Sequence, residues 1–220
     1  MPQSTELQLE FKDPTPAQEI HTSFNSSGVS VQYSCLKLPV EYDFKWDGAS
    51  HYLAYHDLIL LDGEMEVLGE RPSTGRDIRD KMTYVPAGQT IEGWAKPADR
   101  LNAFTVVCFD PAVMEGELQA EFDGFEARPN IYFKDEILGA TMRKLGRMMA
   151  EHDRPASKIY AETLGLTAAL EMYRLSMEDS RETLVAGSGR VGRAESDLLH
   201  GYIEQHLASD IGLDELAALV

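Results

Sequence analysis

The imidazoles are the first candidates for chemistry. His51 and His56 lie five residues apart in a run, His51 to Leu61, that is rich in Tyr, Leu and Ile and reads as a β-strand. Successive strand residues point to opposite faces, so this odd separation sends the two rings to opposite sides. A transition metal needs several ligands converging on one point, and the next strand pair offers none. Cys35 and Cys108 each sit in an apolar, strand-like run, with no Cys-x-x-Cys and no Cys/His cluster. They read as buried thiols in a reducing cytoplasm, with a disulfide between them as the alternative, and not as zinc ligands.

Gly187-Ser188-Gly189-Arg190-Val191-Gly192 has the GxGxxG spacing of a dinucleotide loop. A pyrophosphate site needs a strand before that loop and another after the helix. Here a helical pattern precedes it, and residues 193–220 contain no strand-like run. A flexible hinge explains the glycines better. No nucleophile elbow, P-loop or HExxH is present. Acid pairs abound because the chain has 37 Asp and Glu against 20 Lys and Arg, and none stands out as an acid/base pair. What remains are the aromatics Trp94, Tyr84, Tyr55, Trp46 and Phe104 in or beside strands. They form either barrel core or the wall of a pocket for a small apolar or sugar-like ligand. Tyr55, His56, Tyr84 and Trp94 are the ligand-binding candidates. No residue is assigned a catalytic, metal-binding or cofactor-holding role.

The elements that must position these residues follow from periodicity. Residues 1–28 carry Pro2, Pro14 and Pro16 and end in Asn25-Ser26-Ser27-Gly28, an arm with little regular structure and at most a short strand. Residues 29–110 read as β. Val29, Val31, Tyr33 and Cys35 alternate with polar residues. Asp62-Gly63, between His51–Leu61 and Met65/Val67, is a hairpin signal. Lys81–Val85 runs into the turn Pro86-Ala87-Gly88. Leu101–Phe109 is apolar on both faces and stops at Asp110-Pro111. Residues 134–178 switch to helical period. One helix carries Ile137, Leu138, Met142, Leu145, Met148 and Met149, and Arg154-Pro155 breaks it. A second carries Ile159, Thr163, Leu166, Leu170, Tyr173 and Met177, which makes an antiparallel hairpin. Its apolar faces either cover the barrel or form a dimer seam, for which Leu166, Leu170 and Tyr173 are the candidates. Residues 180–192 have linker composition, and residues 193–220 return to helical period.

Composition excludes some partners. A formal net charge of −17 is the wrong sign for gripping phosphates, so this chain alone is expected to bind DNA poorly and to avoid anionic membranes. Residues 1–13 have no basic segment followed by an apolar core, so they are not a signal peptide, and no apolar run is long enough to span a bilayer. The expected location is the cytoplasm.

Two resemblances follow from these residues. The β region looks like a cupin barrel. Gly63 and Pro86-Ala87-Gly88 fit the family's turn positions, and His51 fits one metal-binding histidine. However, Ala49, His56 and Ile91 stand where the other His, the Glu and the third His belong. The scaffold matches and the ligand set does not. The tail from Tyr202 to Val220, with Leu213-Asp214-Glu215-Leu216-Ala217, resembles the opening of the AraC/XylS DNA-binding domain. Residues 51–63, 80–88, Gly93-Trp94, 109–111 and 159–166 look like the sensory domain of an AraC-type regulator. That resemblance implies an α+β chain. A cupin-like barrel over about residues 29–110 and a helical hairpin would make an effector-binding and dimerisation domain (29–179). An arm (1–28) closing over the ligand, a linker (180–192) and the start of an all-α helix-turn-helix domain (193–220) would complete it. It further implies a homodimer, a small organic effector, and DNA contact only through base-reading helices beyond Val220, since residues 193–220 hold six acids against Arg193. Two alternatives stay open: a cupin-type metal-dependent isomerase or oxygenase, and a dimerisation domain with a collapsed, ligand-free core.

Overall fold

In the computed structural model, described residues are 8–11, 18–26, 28–67, 72–114, 117–122, 127–151, 157–186 and 202. The glycine motif at 187–192 and all of the 193–220 tail except the helical Tyr202 lie outside them. Residues 1–176 form one compact unit and 177–220 a second.

The described residues of the first unit form eleven strands. They are β1 (Gln8–Phe11), β2 (Gln18–Ser26), β3 (Val29–Lys37), β4 (Tyr42–Asp47), β5 (His51–Asp57), β6 (Leu60–Val67), β7 (Ser73–Thr74), β8 (Lys81–Val85), β9 (Thr90–Pro97), β10 (Leu101–Phe109) and β11 (Asn130–Phe133). One antiparallel sheet has the order β1-β4-β9-β6-β7 and the other β11-β8-β5-β10-β3-β2. From β3 to β6, and again from β8 to β10, each successive strand crosses to the other sheet. That wrapping is a double-sheet jelly roll, the architecture cupins share, so the domain is cupin-like. After β10 the named α-helices of the described residues are α1 (Glu117–Glu121), α2 (Glu136–Ala150) and α3 (Lys158–Ala186).

Among the described residues three apolar clusters form, one of them made of Leu36, Leu38, Tyr42, Leu58, Leu60, Ile78 and Ala95. Trp46, Tyr52, Ala54, Val67, Ile91 and Val106 pack between the sheets. Val31, Leu53, Tyr84, Val107 and Phe109 point the other way, onto Leu138, Met142, Leu145, Ala168 and Met172 of the helices. Strands β5 and β10 lie in the middle of the six-stranded sheet and are buried on both faces, as the apolar run Leu101–Phe109 predicts. Cys108 is buried and Cys35 half-buried, and no disulfide joins them.

Helix α2 begins where Asp135 accepts a hydrogen bond from the Leu138 amide at 2.8 Å, an N-cap that satisfies an otherwise orphaned donor. It buries Leu138, Gly139, Met142, Leu145, Gly146 and Met149 and leaves Ile137 58% exposed. Helix α3 buries Ala161, Leu164, Ala168, Ala169 and Met172. The expected stripe is therefore rotated. Ile159 is 74% exposed, while Leu166, Leu170 and Tyr173 are half-buried against the domain's own core. Small residues win the buried face because they let the helix backbone approach the sheet closely. Thr141 donates to Glu171 at 3.1 Å, and the Lys144 ammonium lies 5.2 Å from the Tyr160 ring centre, so α2 and α3 run in opposite senses, as the helical hairpin requires.

Three expectations change. Residues 18–26, assigned to the arm, form a nine-residue strand paired with β3 from Gln18 to Ser26; Thr22 and Phe24 give it enough strand character once β3 offers an edge. Asp62-Gly63 does not turn a hairpin. It sits inside β6, at a register shift against β9 between Leu60 and Asp62, where the chain bulges without reversing. The actual break in the 51–61 run comes at Leu58 and Ile59. Residues 180–186, given to the linker, continue α3, since Arg181, Glu182, Leu184 and Ala186 are good helix formers and glycine enters only at 187.

The β6–β9 contact depends on Gly93. A Cβ there would fall 2.1 Å from the Glu64 carbonyl oxygen and 3.0 Å from the Met65 Cα, both backbone atoms that cannot step aside. At Gly139 the nearest atom to a new Cβ is the Met82 Cε, 3.8 Å away, in ordinary contact. Gly93→Ala should therefore lower unfolding stability by about 1–3 kcal/mol. Gly139→Ala should raise it by about 0.5–1 kcal/mol, because alanine restricts the unfolded helix segment more than glycine does. Urea denaturation midpoints of opposite sign are the expected result.

Candidate functional site

The interior between the sheets holds a small cavity of about 60 Å³. Its polar lining comes from Tyr42 on β4, Tyr52 and His56 on β5, and Tyr132 on β11. The remaining wall is apolar, including Leu58, Met65, Ile91 and Ala95. Tyr52 and His56 share this face because they are four residues apart on one strand. Tyr132 reaches it by an unusual backbone, with φ at 56°, at a register break between Asn130 and Phe133 against β8. A left-handed backbone on a tyrosine costs of order 1–3 kcal/mol and persists only where surrounding packing holds it.

Electrostatically the cavity is neutral. Burial pushes the Tyr132 phenol up to about 12. Burial raises Tyr42 and Tyr52 further, and Tyr132 adds to both, so the three hydroxyls lie within electrostatic reach of one another. All three stay protonated and able to donate or accept. Burial pushes His56 down to about 4, and its Nε2 is hydrogen-bonded to the Thr83 hydroxyl at 2.9 Å. Its ring meets Tyr132 edge-on, with centroids 6.1 Å apart. Phenols and a neutral imidazole in an apolar wall suit an uncharged ligand with one or two polar atoms.

The cupin metal positions fare differently. Ala49 is exposed outside the strands, Ile91 is an aliphatic wall residue, and His51 faces the helices, not the barrel. Its Nδ1 is 2.7 Å from the Tyr84 hydroxyl and its ring stacks on Phe109. Among the described residues no three His, Cys, Asp or Glu side chains lie together in a way that could hold a metal ion. The residues present do not fit the metal that the cupin fold often carries.

Of the four candidates taken from sequence, only His56 lines the cavity. Tyr84 and Tyr55 lie on the helix-facing side of the same sheet. The Tyr55 hydroxyl donates to Asp80. Trp94 lies on β9 between the inward-facing Gly93 and Ala95, on the outer side of the other sheet, where the Lys96 ammonium sits 5.4 Å from its ring centre. The structure does not bring these four together. Strand parity could have found Tyr52, which shares its face with His56 where Tyr55 cannot. Tyr132 gave no signal, because its strand lies past the β region and its aim depends on one backbone dihedral.

Burial of His56 has a pH consequence. In the unfolded chain the imidazole titrates near its ordinary 6.5, while in the folded domain it resists protonation down to about 4. Between those values the unfolded state binds more protons, so stability present above pH 6.5 is lost as pH falls, at about 1.4 kcal/mol per unit. Below pH 4 this group adds no further slope. Burial also pushes His51 down to about 4, so His56→Gln should lower the slope of the stability profile between pH 6.5 and 4 by about 1.4 kcal/mol per unit in urea denaturation series and leave the share of His51; an unchanged slope would place the acid sensitivity elsewhere.

No protein-family model matches this chain, and no curated protein matches it. Solved structures similar to part of it include an RmlC-like cupin family protein with a double-stranded β-helix fold from Methanocaldococcus jannaschii. That protein is 17% identical, with a TM-score of 0.31, over 46% of this chain and 88% of that one. A cupin domain from Bordetella pertussis is 16% identical, with a TM-score of 0.30, over 44% and 92%. The DMSP lyase DddQ from Ruegeria pomeroyi is 14% identical, with a TM-score of 0.27, over 50% and 47%.

Proposed function

We propose that this chain is the ligand-sensing and dimerising portion of a bacterial AraC-type DNA-binding transcription regulator, and that its effector is a small, uncharged organic molecule bound in the barrel. The observation that carries it is the barrel interior. Three phenols and one neutral imidazole meet in an apolar cavity in which His56 is the one potential ligand at the cupin metal positions, since Ala49 and Ile91 cannot ligate and His51 faces the helices. A recognition pocket needs such groups, and a metal-dependent reaction would need others. The AraC-like tail from Tyr202 to Val220 supports the regulator assignment.

At about 60 Å³ the cavity accommodates a few waters, well below the roughly 300 Å³ at which metabolite sites begin. An effector therefore has to displace a wall residue. Tyr132 is the candidate, because its backbone is already held away from its preferred conformation. Tyr132 stands three residues before the Asp135 cap of α2, so its movement reaches the helices directly. A ligand that prefers the displaced arrangement shifts the population toward it, and the helices pass that shift to the dimer and its DNA-binding domains.

A thermal-shift panel of sugars, aromatic compounds and amino-acid derivatives should contain a member that raises the unfolding midpoint, since a ligand bound only to the folded state stabilises it by mass action. Ala95→Val, which narrows the cavity, should abolish that shift; a panel without any hit would count against an effector. Elemental analysis of the purified protein checks the competing class: stoichiometric Fe, Mn, Ni or Zn would favour the metal-dependent isomerase or oxygenase. Sedimentation should give the mass of two chains. Leu170→Asp should return it to one chain while circular dichroism keeps the folded spectrum; an unchanged dimer mass would remove α3 from the seam.

A further inference from the structure

A second cleft lies outside the barrel, where α2 crosses the helix-facing side of the six-stranded sheet, and its volume is about 360 Å³. The sheet registers Thr105 on β10 between Tyr33 on β3 and Tyr55 on β5. One pair further along, Ala103 lies between Cys35 and Asp57. Gly146 of α2 sits against Thr105: a Cβ at that glycine would fall 2.5 Å from the Thr105 hydroxyl oxygen. That contact closes one end of the cleft. Ala103 and Ala150 have too little side chain to fill the other end, so the cleft has an apolar floor flanked by two tyrosines.

Its rim is cationic. Arg79, Arg143 and Arg147 border it in a chain of net charge −17, together with Asp57 and Asp80. Each carboxylate already has a cation: Asp57 pairs with Arg100 at 3.0 Å and Asp80 with Arg143 at 3.3 Å, with the Tyr55 hydroxyl also on Asp80. Arg79 is held by Asp77 outside the cleft, through contacts of 2.9 and 2.6 Å. Arg147 has no ion pair or hydrogen bond among the described residues. One positive charge is thus left over, beside a guanidinium of Arg143 that keeps unused N–H donors. Burial pushes Tyr33 and Tyr55 up to about 12, so both remain neutral.

We infer that this cleft is a second ligand site, distinct from the barrel, for a small organic monocarboxylate whose apolar body lies over Ala103 between Tyr33 and Tyr55 while its carboxylate is held by Arg147 and Arg143. An arginine fork matches a carboxylate in geometry as well as in charge. A dianion would meet Asp57 and Asp80 with no second free cation among the described residues at the rim, which sets the preference for a single carboxylate.

Phenylacetate titrated into the full chain by calorimetry tests this. Saturable binding is expected, weakened at least about tenfold by Arg147→Ala, the loss of a charge-assisted pair. Arg147 is exposed and has no polar partner among the described residues, so the variant should keep the parent's urea midpoint. Phenylacetamide, with the same shape and no charge, should bind weaker by a similar factor. Ala95→Val, which alters only the barrel, should leave phenylacetate binding unchanged, so failure here is distinguishable from failure of the barrel site. The proposal falls if phenylacetate does not saturate, if Arg147→Ala or the amide binds as well, or if phenethylamine binds more tightly than phenylacetate. It also falls if affinity is lost in Ala95→Val and kept in Arg147→Ala, which would place the ligand in the barrel.

Discussion

The six-stranded sheet is a partition, and most of what this domain does depends on that. Its central strands β5 and β10 are covered on both sides, by the second sheet on one face and by α2 and α3 on the other. A strand sends alternate residues to alternate faces, so each step along β5 moves from one compartment to the other. His51, Leu53 and Tyr55 belong to the helix side, and Tyr52, Ala54 and His56 to the barrel. Neighbours in sequence are strangers in space here. Among the described residues, communication between compartments runs through the sheet itself or around its edge.

Strand β11 is that edge. It pairs with β8, aims Tyr132 into the barrel, and leads at once to the capped start of α2. Across β8, Asp80 is the other non-glycine residue with positive φ among the described residues, and its amide donates to the His56 carbonyl at 3.0 Å. Both strained residues thus flank the short strand β8 (Lys81–Val85), one at its start and one on its outer partner. Strain of this kind survives only where packing overdetermines it, and it gathers where a chain must change shape or hold a ligand. The described ion pairs, by contrast, have exposed side chains, and pairs of that sort contribute little to stability. The fold rests on its apolar clusters, and the polar groups serve recognition.

Much of the architecture was legible in the chain. Alternation and turn residues predicted a β domain over 29–110, and the two-sided apolar run Leu101–Phe109 marked the middle of a covered sheet. The switch to helical period placed α2 and the start of α3 within a few residues, and it ended α3 too early. The odd spacing of His51 and His56 ruled out a shared cavity, and the structure separates them as that spacing requires. The same parity, applied to Tyr55 and His56, would have separated those too.

The sequence by itself determined the type of each element and the two faces of each strand, because both follow from local sterics and the periodicity of apolar residues. Only the tertiary structure decided which face became barrel and which became helix bed, since that depends on which strands cross to the other sheet. It alone decided that Asp62-Gly63 would bulge instead of turning, because β9 was there to pair with β6 through the bulge. Small residues faced the sheet on α3 because close approach of two backbones outweighed side-chain size. The polar groups that converge, Tyr42, Tyr52, His56 and Tyr132, come from three strands spread over some ninety positions of chain. No local pattern can encode such a meeting, because it is a property of the packed sheets and not of any segment within them.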